Sequence, residues 1–289
     1  MKWVEKCYGS LRTSSTPCDI ITIDNGSTDG TQEFIKTHFP EVQLIENKQN
    51  LGFGRANNIG LQKVLDEGYD YAYLLNQDAW ILPDTFEKLI EISKKHPEYG
   101  ILSPMQLKAD LQHLDDKFAT HVIGENHKNP PYFIDDCYFG RQEDVYEVSF
   151  VMAAHWLITK KCIETTGGFS PTFFMYGEDD NYLNRTNYWN LKIGIVPSSK
   201  AVHDRGDANW SEEKNIFIKY YSMSLDLCSN PCSKKSIWTF IKCNIKASIK
   251  THNRLIWNYA IRLFKERHQI EANYRTSLQK CAFLTPNKK

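Results

Sequence analysis

Two acids and one histidine of the 289-residue chain stand where they can act together. Asp24 ends the β-branched run "DIITID" and Asp78 follows the apolar run "YAYLL", so each acid lies at the carboxyl end of a predicted strand. His203 follows another short apolar stretch. Carboxylate oxygens and imidazole nitrogens suit Mn²⁺ or Mg²⁺, and a partly hydrated cation of this kind usually bridges to substrate phosphates. Asp78 and His203 are therefore the candidate metal ligands.

Polar loops that follow the predicted strands offer groups for a pyrophosphate. The turn "NGSTDG" follows Asp24, and Asn76 and Gln77 precede Asp78. No Walker loop is present, and the glycines of "GFGRANNIG" do not have the dinucleotide-binding spacing. These observations disfavour an ATPase and a dehydrogenase.

The elements that must hold these side chains alternate between strand and helix patterns. Predicted strands at "DIITID", "VQLI", "YAYLL" and "GILSP" are separated by helices of about ten residues, which is typical of βαβ units and a parallel sheet. Ligands bind at the carboxyl ends of the strands in such sheets, and this placement pairs Asp24 with Asp78. The pattern is lost from 107 to 147, resumes with strands and a short helix, and becomes mainly helical after Glu212.

Charge is unevenly distributed, although the chain has 35 basic and 35 acidic residues. Residues 212–289 hold fifteen Lys and Arg against five Asp and Glu, so the remaining 20 basic and 30 acidic residues lie in 1–211. The chain shows no secretory signal and no apolar run that could cross a bilayer, so a cytoplasmic location is expected. An acidic body with a basic helical tail that carries Trp238 and Trp257 also predicts contact with an anionic membrane surface, on the inner face of the cytoplasmic membrane.

Four motifs together resemble glycosyltransferase family 2, particularly its rhamnosyltransferase-like bacterial members. They are "IDNGSTDGT", "NLGFGRANNIG", "LLNQDAW" and "FFMYGEDDNYLNR", which occur in family order within residues 20–185. The resemblance implies an α/β GT-A fold, a Rossmann-like, mostly parallel sheet flanked by helices, here with a C-terminal helical extension. It also implies inverting transfer from a UDP- or dTDP-sugar to a hydroxyl, with the metal on the diphosphate. The implied setting is surface polysaccharide synthesis with a glycan or lipid-linked acceptor, and no nucleic-acid partner is expected.

The resemblance also implies roles for individual residues. Asp179 matches the general base and Glu178 would orient the base or the acceptor, although both acids also suit a helix N-terminus. Arg185 is expected to pair with these acids. Asp24 matches the acid that accepts a hydrogen bond from the ring N–H of the uracil or thymine of the donor. A structural role in the turn is the alternative for Asp24. Asn76 replaces the first acid of the family's Asp-x-Asp motif. The contact that Asn76 would make with the nucleotide-sugar donor is therefore left open.

The remaining predicted contacts belong to the donor and the acceptor. The donor set is Asp24, Asn25, Gly26, Ser27, Asn50, Gly52, Arg55, Asn57, Asn76 and Gln77. The acceptor set is Trp156, Tyr176 and Trp210, which can stack on sugars or belong to the core. A sugar-phosphate nucleotidyltransferase and a non-catalytic nucleotide-sugar-binding scaffold are the alternative functions.

Two expectations concern domain organisation. Residues 1–211 are expected to form the catalytic domain, and residues 212–289 a basic helical extension. Relatives begin with a strand that precedes a helix similar to "WVEKCYGSLRTS", whereas Met1 here falls directly before that helix. Residues 1–16 are therefore expected to be helical, and the strand that ends at Asp24 is expected to lack its usual neighbour or to pair with a substitute.

Overall fold

The computed structural model describes residues 2–122, 130, 132–205 and 211–285. Helices and strands alternate through the first part of the chain, as the hydrophobic pattern predicts. Its elements are α1 (Val4–Arg12), β1 (Ile21–Asp24), α2 (Thr31–His38), β2 (Gln43–Glu46), α3 (Phe53–Glu67), β3 (Tyr71–Leu75), β4 (Ala79–Ile81), α4 (Thr85–Lys95) and β5 (Tyr99–Leu107). The later elements are α5 (Asp116–Val122), α6 (Phe133–Phe139), β6 (Tyr146–Glu147), β7 (His155–Thr159), α7 (Lys160–Thr166), α8 (Glu178–Tyr188), β8 (Lys192–His203), α9 (Glu212–Phe217), a π-helix (Ile218–Ser222), α10 (Met223–Ser229), α11 (Ile237–Thr251) and α12 (Arg254–Ser277).

The strands form two sheets in the described part of the chain. β1 pairs with β2, and the larger sheet has the order β3-β7-β5-β8-β4, with β6 on β8. Only β1/β2 and β5/β8 are parallel, whereas the other four pairs are antiparallel. The α/β architecture is as expected. The strand directions are not, because most strand pairs are antiparallel whereas a mostly parallel sheet was expected. β7 follows a long excursion rather than a single crossover helix, so the alternating pattern did not determine its direction.

The helix expected near the N-terminus is present, and the strand that follows it belongs to the smaller sheet. α1 spans Val4–Arg12, inside the segment predicted to be helical. β1 is bonded to β2 and β3 to β7, and among the described residues no strand joins the two sheets. α1 packs with α2 in a separate apolar cluster that includes Tyr8, whose hydroxyl hydrogen-bonds Thr22 of β1 at 2.7 Å. The strand that ends at Asp24 therefore has one strand neighbour.

The helices after Glu212 pack against the segment that leads into α8. Phe173 is buried in an apolar cluster with Tyr221, Leu225, Ile241 and Leu263. This contact ties the helical extension to the chain just before the acids of "GED". None of the helices in the described ranges is long and apolar enough to span a bilayer.

Residues 281–284 return to the end of α7. The Gly168 backbone N–H donates to the Ala282 carbonyl oxygen at 2.8 Å, and the Cys281 N–H donates to the Thr165 carbonyl oxygen at 3.1 Å. A Cβ atom on Gly167 would lie 2.0 Å from that Ala282 oxygen. The glycine is thus required by the close approach of these two backbones.

Candidate active site

The register of β4 and β8 brings the two predicted metal ligands together. Ala79 pairs with His203, so Asp78 lies beside the end of β8, and the Asp204 N–H donates to the Asp78 carbonyl oxygen at 2.8 Å. The Asp78 Oδ1 is 3.5 Å from the His203 Nε2. Burial opposes ionisation of Asp78, but the interactions with His203 and Arg205 and a backbone hydrogen bond together outweigh it and lower the pKa of this carboxyl.

Asp78 and His203 fit a divalent cation as two neighbouring ligands. Their 3.5 Å separation is close to the roughly 3 Å expected between adjacent ligands of Mg²⁺. The buried His203 Nδ1 has no hydrogen-bond partner, so the ring is not committed to a protein contact through that atom. In the described ranges no group of three or more His, Cys, Asp or Glu side chains could hold an ion. An ion here would therefore also need diphosphate and water oxygens.

Arg205 links this pair electrostatically to the predicted general base. Its charge acts on both Asp78 and Asp179 and favours the ionised form of each. The Arg205 Nε donates to the buried Asp115 carboxylate at 2.8 Å, which holds the guanidinium in place. Sequence reasoning missed Arg205 and Asp115, although "HDRG" places a cation two residues after the candidate ligand His203.

The turn between β3 and β4 carries the polar residues that precede Asp78. The Asn76 N–H donates to the Ala154 carbonyl oxygen at 3.2 Å, and the Asn76 carbonyl oxygen accepts from the Ala79 N–H at 3.2 Å. Gln77 is exposed at the tip. The backbone N–H and the carbonyl oxygen of Asn76 both form hydrogen bonds within the protein. Its side chain is therefore the part that can bind a ligand.

Glu178 and Asp179 lie in the first turn of α8. Glu178 is buried, and its Oε2 has no hydrogen-bond partner. Burial and the charge of Asp179 raise the pKa of Glu178 to about 8. Burial also raises the pKa of Asp179, whose Oδ1 accepts from the Asp180 N–H at 3.0 Å. Near neutral pH Glu178 is therefore largely protonated.

We expect Glu178→Gln to make stability less dependent on pH. Between about pH 4.5 and about pH 8 the folded chain keeps the Glu178 proton that the unfolded chain releases, so the free energy of unfolding falls as pH rises. Glutamine cannot ionise, and the variant should be the more stable protein above pH 8, by on the order of a few kcal/mol. Urea denaturation across this range measures the difference, with the exposed Glu33→Gln as control. Equal slopes for wild type and Glu178→Gln would contradict the buried-acid assignment.

Asp24 stabilises the turn that follows β1. Its Oδ2 accepts from the backbone N–H groups of Gly26 and Ser27 at 3.1 and 3.0 Å, and from the Gln32 Nε2 at 2.6 Å. Burial opposes ionisation, but these bonds lower the pKa of Asp24 overall. Asp24 therefore has the structural role in the turn that was the alternative for this acid, because the N–H groups of Gly26 and Ser27 donate to it. All three bonds reach Oδ2.

Asn25 joins this turn to the loop before α3. Its Oδ1 accepts from the Asn47 Nδ2 at 3.2 Å and the Leu51 N–H at 3.4 Å, and its Nδ2 donates to the Gly52 carbonyl oxygen at 3.3 Å. The Asn50 Oδ1 accepts from the Gly52 N–H at 2.8 Å. The predicted donor-binding residues Asn25, Asn50 and Gly52 are therefore neighbours in one network.

The start of α3 packs against the segment before α8. Gly52 has φ +81°, and a Cβ atom there would lie 2.2 Å from the Phe174 carbonyl oxygen. The Arg55 Nη2 donates to the Pro171 carbonyl oxygen at 3.1 Å, and Asn57 bonds within its own helix at 2.9 Å. Arg55 and Asn57 thus make structural contacts, and these contacts bring the predicted donor loop next to the segment that holds Glu178 and Asp179.

The prediction that Trp156 contacts the acceptor is wrong. Its side chain is 0% exposed, stacks on Phe169 at 6.2 Å between ring centroids, and donates from Nε1 to the Val151 carbonyl oxygen at 3.1 Å. A sugar cannot reach a ring that is covered on all sides, so Trp156 is a core residue. Trp210, the other tryptophan in the predicted acceptor set, lies outside the described residues.

Tyr176 is half-buried immediately before Gly177, Glu178 and Asp179. It has a left-handed backbone, with φ +68°, which is unusual for a tyrosine. Its carbonyl oxygen accepts from the Ser222 Oγ at 2.8 Å, and its ring meets Phe217 at 6.5 Å and the Lys214 ammonium at 4.7 Å. The π-helix and α9 therefore support this conformation, and such strained residues are often found at functional sites.

Arg185 does not pair with the acids. It is fully buried, donates from Nη1 to the Gly168 carbonyl oxygen at 2.6 Å, and also donates to the Thr166 carbonyl oxygen. The ring of Phe283 lies 5.0 Å from its guanidinium carbon. The expected ion pair is wrong because Nη1 and Nη2 both donate to backbone carbonyls at the end of α7, while the buried Nε has no hydrogen-bond partner among the described residues.

Solved structures share this architecture. Staphylococcus aureus TarS residues 1–349 in complex with UDP-GlcNAc match with a TM-score of 0.55 and 12% identity, over 96% of this chain and 87% of that one. GalNAc-T7 with UDP, GalNAc and Mn²⁺ matches with a TM-score of 0.54 and 14% identity, over 88% of this chain and 55% of that one. At these identities the likeness establishes the GT-A fold and no more.

Sequence comparison agrees with the fold. The N-acetylglucosaminyl-diphospho-decaprenol L-rhamnosyltransferase of Mycobacterium tuberculosis is 24% identical over 220 residues, which are 70% of this chain and 72% of the relative. The profile of glycosyl transferase family 2 matches residues 2–165. That match takes in more than half of the chain, including β1, the donor loop and Asp78, and it shows that the chain belongs to glycosyltransferase family 2.

Proposed function

We propose that the protein is a metal-dependent, inverting glycosyltransferase that moves a sugar from a UDP- or dTDP-sugar to a hydroxyl of a lipid-linked or glycan acceptor. The observation that carries the proposal is the position of the Asp78 Oδ1, 3.5 Å from the His203 Nε2, within a chain of this family. This pair supports a metal site for a donor diphosphate, and we assign the carboxylate base of the same site to Asp179. The relative that acts on a decaprenol-linked substrate supports a lipid-linked acceptor.

Asp78 and His203 would hold Mn²⁺ or Mg²⁺ with the donor diphosphate. When bound, the cation offsets the charge that builds on the departing nucleoside diphosphate. On the protein side, the Asp24 Oδ1 would accept from the ring N–H of the base, because the turn bonds all reach Oδ2. The side chains of Asn76 and Gln77 would contact the donor at the tip of the β3–β4 turn.

Asp179 would take the proton of the acceptor hydroxyl as the oxygen attacks C1 of the sugar. The new C–O bond forms on the face opposite the leaving diphosphate, so the configuration at C1 inverts and the proton remains on Asp179. Protonated Glu178 would donate a hydrogen bond that orients the acceptor or the base. Residues 1–211 would supply this chemistry, and residues 212–289 would act in acceptor delivery.

A thermal-shift panel of nucleotide-sugars tests the proposal. One UDP- or dTDP-sugar in large excess with Mn²⁺ should raise the melting temperature by about 5 °C, and EDTA should remove most of the rise. Release of the nucleoside diphosphate, assayed with the same donor and Mn²⁺, then separates an active enzyme from a binding scaffold. A panel in which no donor stabilises the protein would contradict the proposed function.

A further inference from the structure

The outer face of the α11–α12 hairpin combines exposed apolar rings with basic side chains. The two helices are joined by only His252 and Asn253. Exposed residues recur at helical spacing on both helices, and they are Trp238, Lys242, Lys246, Ile249, Lys250, Arg254, Trp257, Ile261, Phe264 and Lys265. We call these ten residues the hairpin face. Rings from both helices meet at one end, where Trp238 lies 5.9 Å from Phe264, so the hairpin face is continuous.

The charge of the hairpin face is entirely positive. α11 has no Asp or Glu in its sequence. The two acids of α12, Glu266 and Glu271, are partly buried and bonded to Arg262 at 2.9 Å and to Lys234 at 2.5 Å. Neither acid belongs to the hairpin face. A partner of this surface must therefore be anionic and must also accept apolar groups.

A basic cavity opens beside Trp238. Its volume is about 360 Å³, and its lining includes Lys234, Lys235, Trp238 and Arg267. Glu271 offsets Lys234, but the Arg267 guanidinium instead lies 4.1 Å from the Phe264 ring. The cavity can accept a phosphate group while Trp238 inserts beside it. A phospholipid interface offers both partners, because its phosphate groups can enter the basic cavity while its apolar region accepts the indole of Trp238.

We propose that the hairpin face docks on an anionic phospholipid surface. Trp238, Trp257 and Phe264 would insert among the headgroups, and the lysines would stay at the level of the phosphates. A nucleic acid matches the charge but leaves Ile249 and Ile261 in contact with phosphate or water, so it fits less well. The docking itself does not depend on the proposed function.

Docking would also hold the catalytic acids at the membrane surface. The buried side of the hairpin contributes Ile241 and Leu263 to the cluster that surrounds Phe173. Phe173 lies just before the segment that carries Glu178 and Asp179, so a docked hairpin fixes the distance of these acids from the lipid. Delivery of a lipid-linked acceptor to Asp179 by this route rests on the proposed function.

Vesicle co-sedimentation of the full chain tests the docking. The protein should pellet with vesicles of equal parts phosphatidylcholine and phosphatidylglycerol, and much less with phosphatidylcholine alone. Lys242→Gln/Lys246→Gln should weaken binding to the anionic vesicles roughly 30-fold, since each basic residue near the surface contributes a factor of about 5. Trp238→Ala/Trp257→Ala should also weaken it, and the melting temperature of each variant verifies that it folds.

Matched control variants remove lysine and aromatic side chains that lie outside the hairpin face. Lys94→Gln/Lys161→Gln and Tyr138→Ala/Phe139→Ala change exposed side chains of α4, α7 and α6, and both should pellet like the wild type. Equal pelleting with both vesicle types, or none, overturns the proposal, as does binding of RNA without vesicles. No donor or acceptor is present in this assay. Failure of docking and failure of the proposed function therefore give different results.

Discussion

Asp179→Asn is expected to abolish sugar transfer while donor affinity stays near that of the wild type. The substitution removes the carboxylate that would take the acceptor proton but keeps the shape of the side chain and an oxygen for the Asp180 N–H. General-base catalysis typically contributes about 10²- to 10⁴-fold, so we expect the rate constant for transfer to fall by roughly 10³-fold. Single-turnover transfer and calorimetric titration of the donor measure the two quantities separately.

Two outcomes decide the role of Asp179. Asp180→Asn, one residue further along α8, makes the same chemical change and should retain most of the activity. If Asp179→Asn loses donor affinity as strongly as it loses transfer, Asp179 belongs to the donor or metal site and is not the base. If transfer persists, another group accepts the proton.

Asp78→Ala is expected to remove metal-stimulated donor binding. His203 would then be the remaining protein ligand of the pair, and one imidazole cannot hold a hydrated Mn²⁺ or Mg²⁺ ion firmly on the diphosphate. Donor affinity in Mn²⁺ should fall roughly 100-fold, which corresponds to losing about 3 kcal/mol of electrostatic stabilisation. Titration of the donor with Mn²⁺ and with EDTA measures this loss.

The exposed acid Asp144 provides the matched control for Asp78. It lies before β6 and interacts with Lys95 and His96 at the surface. Asp144→Ala should leave the ratio of donor affinities in Mn²⁺ and in EDTA unchanged. The same ratio in Asp78→Ala as in wild type would show that this carboxylate does not bind the ion.

The proximity of Asp78 and His203 was predictable because it depends on local placement. Asp78 and His203 each follow an apolar run, and the ends of strands in one sheet meet at its edge. Arg205 was harder to predict because its role depends on Asp115, whose position follows the irregular excursion between β5 and β7. The effect of its charge on Asp78 and Asp179 becomes evident only when these segments are assembled.

Other differences between prediction and structure have the same physical origin. Trp156 looks like a sugar platform in sequence, but Phe169 and Tyr182 arrive from later segments and cover it. Arg185 follows three acids in the chain, yet the carbonyl oxygens at the end of α7 are nearer to its guanidinium. Periodicity predicts which faces are apolar, whereas long-range packing decides what covers them.

The return of residues 281–284 to the turn at Gly167 and Gly168 has a consequence for biosynthesis. The support of Arg185 by Phe283 and the backbone bonds of Ala282 and Cys281 join residues made early to residues made about a hundred positions later. At about 5–20 residues per second, the ribosome takes on the order of 5 to 20 s to travel from Asp179 to Ala282. The nascent segment between α7 and α8 therefore lacks these contacts during that interval, and it reaches its final packing only after α12 has been synthesised.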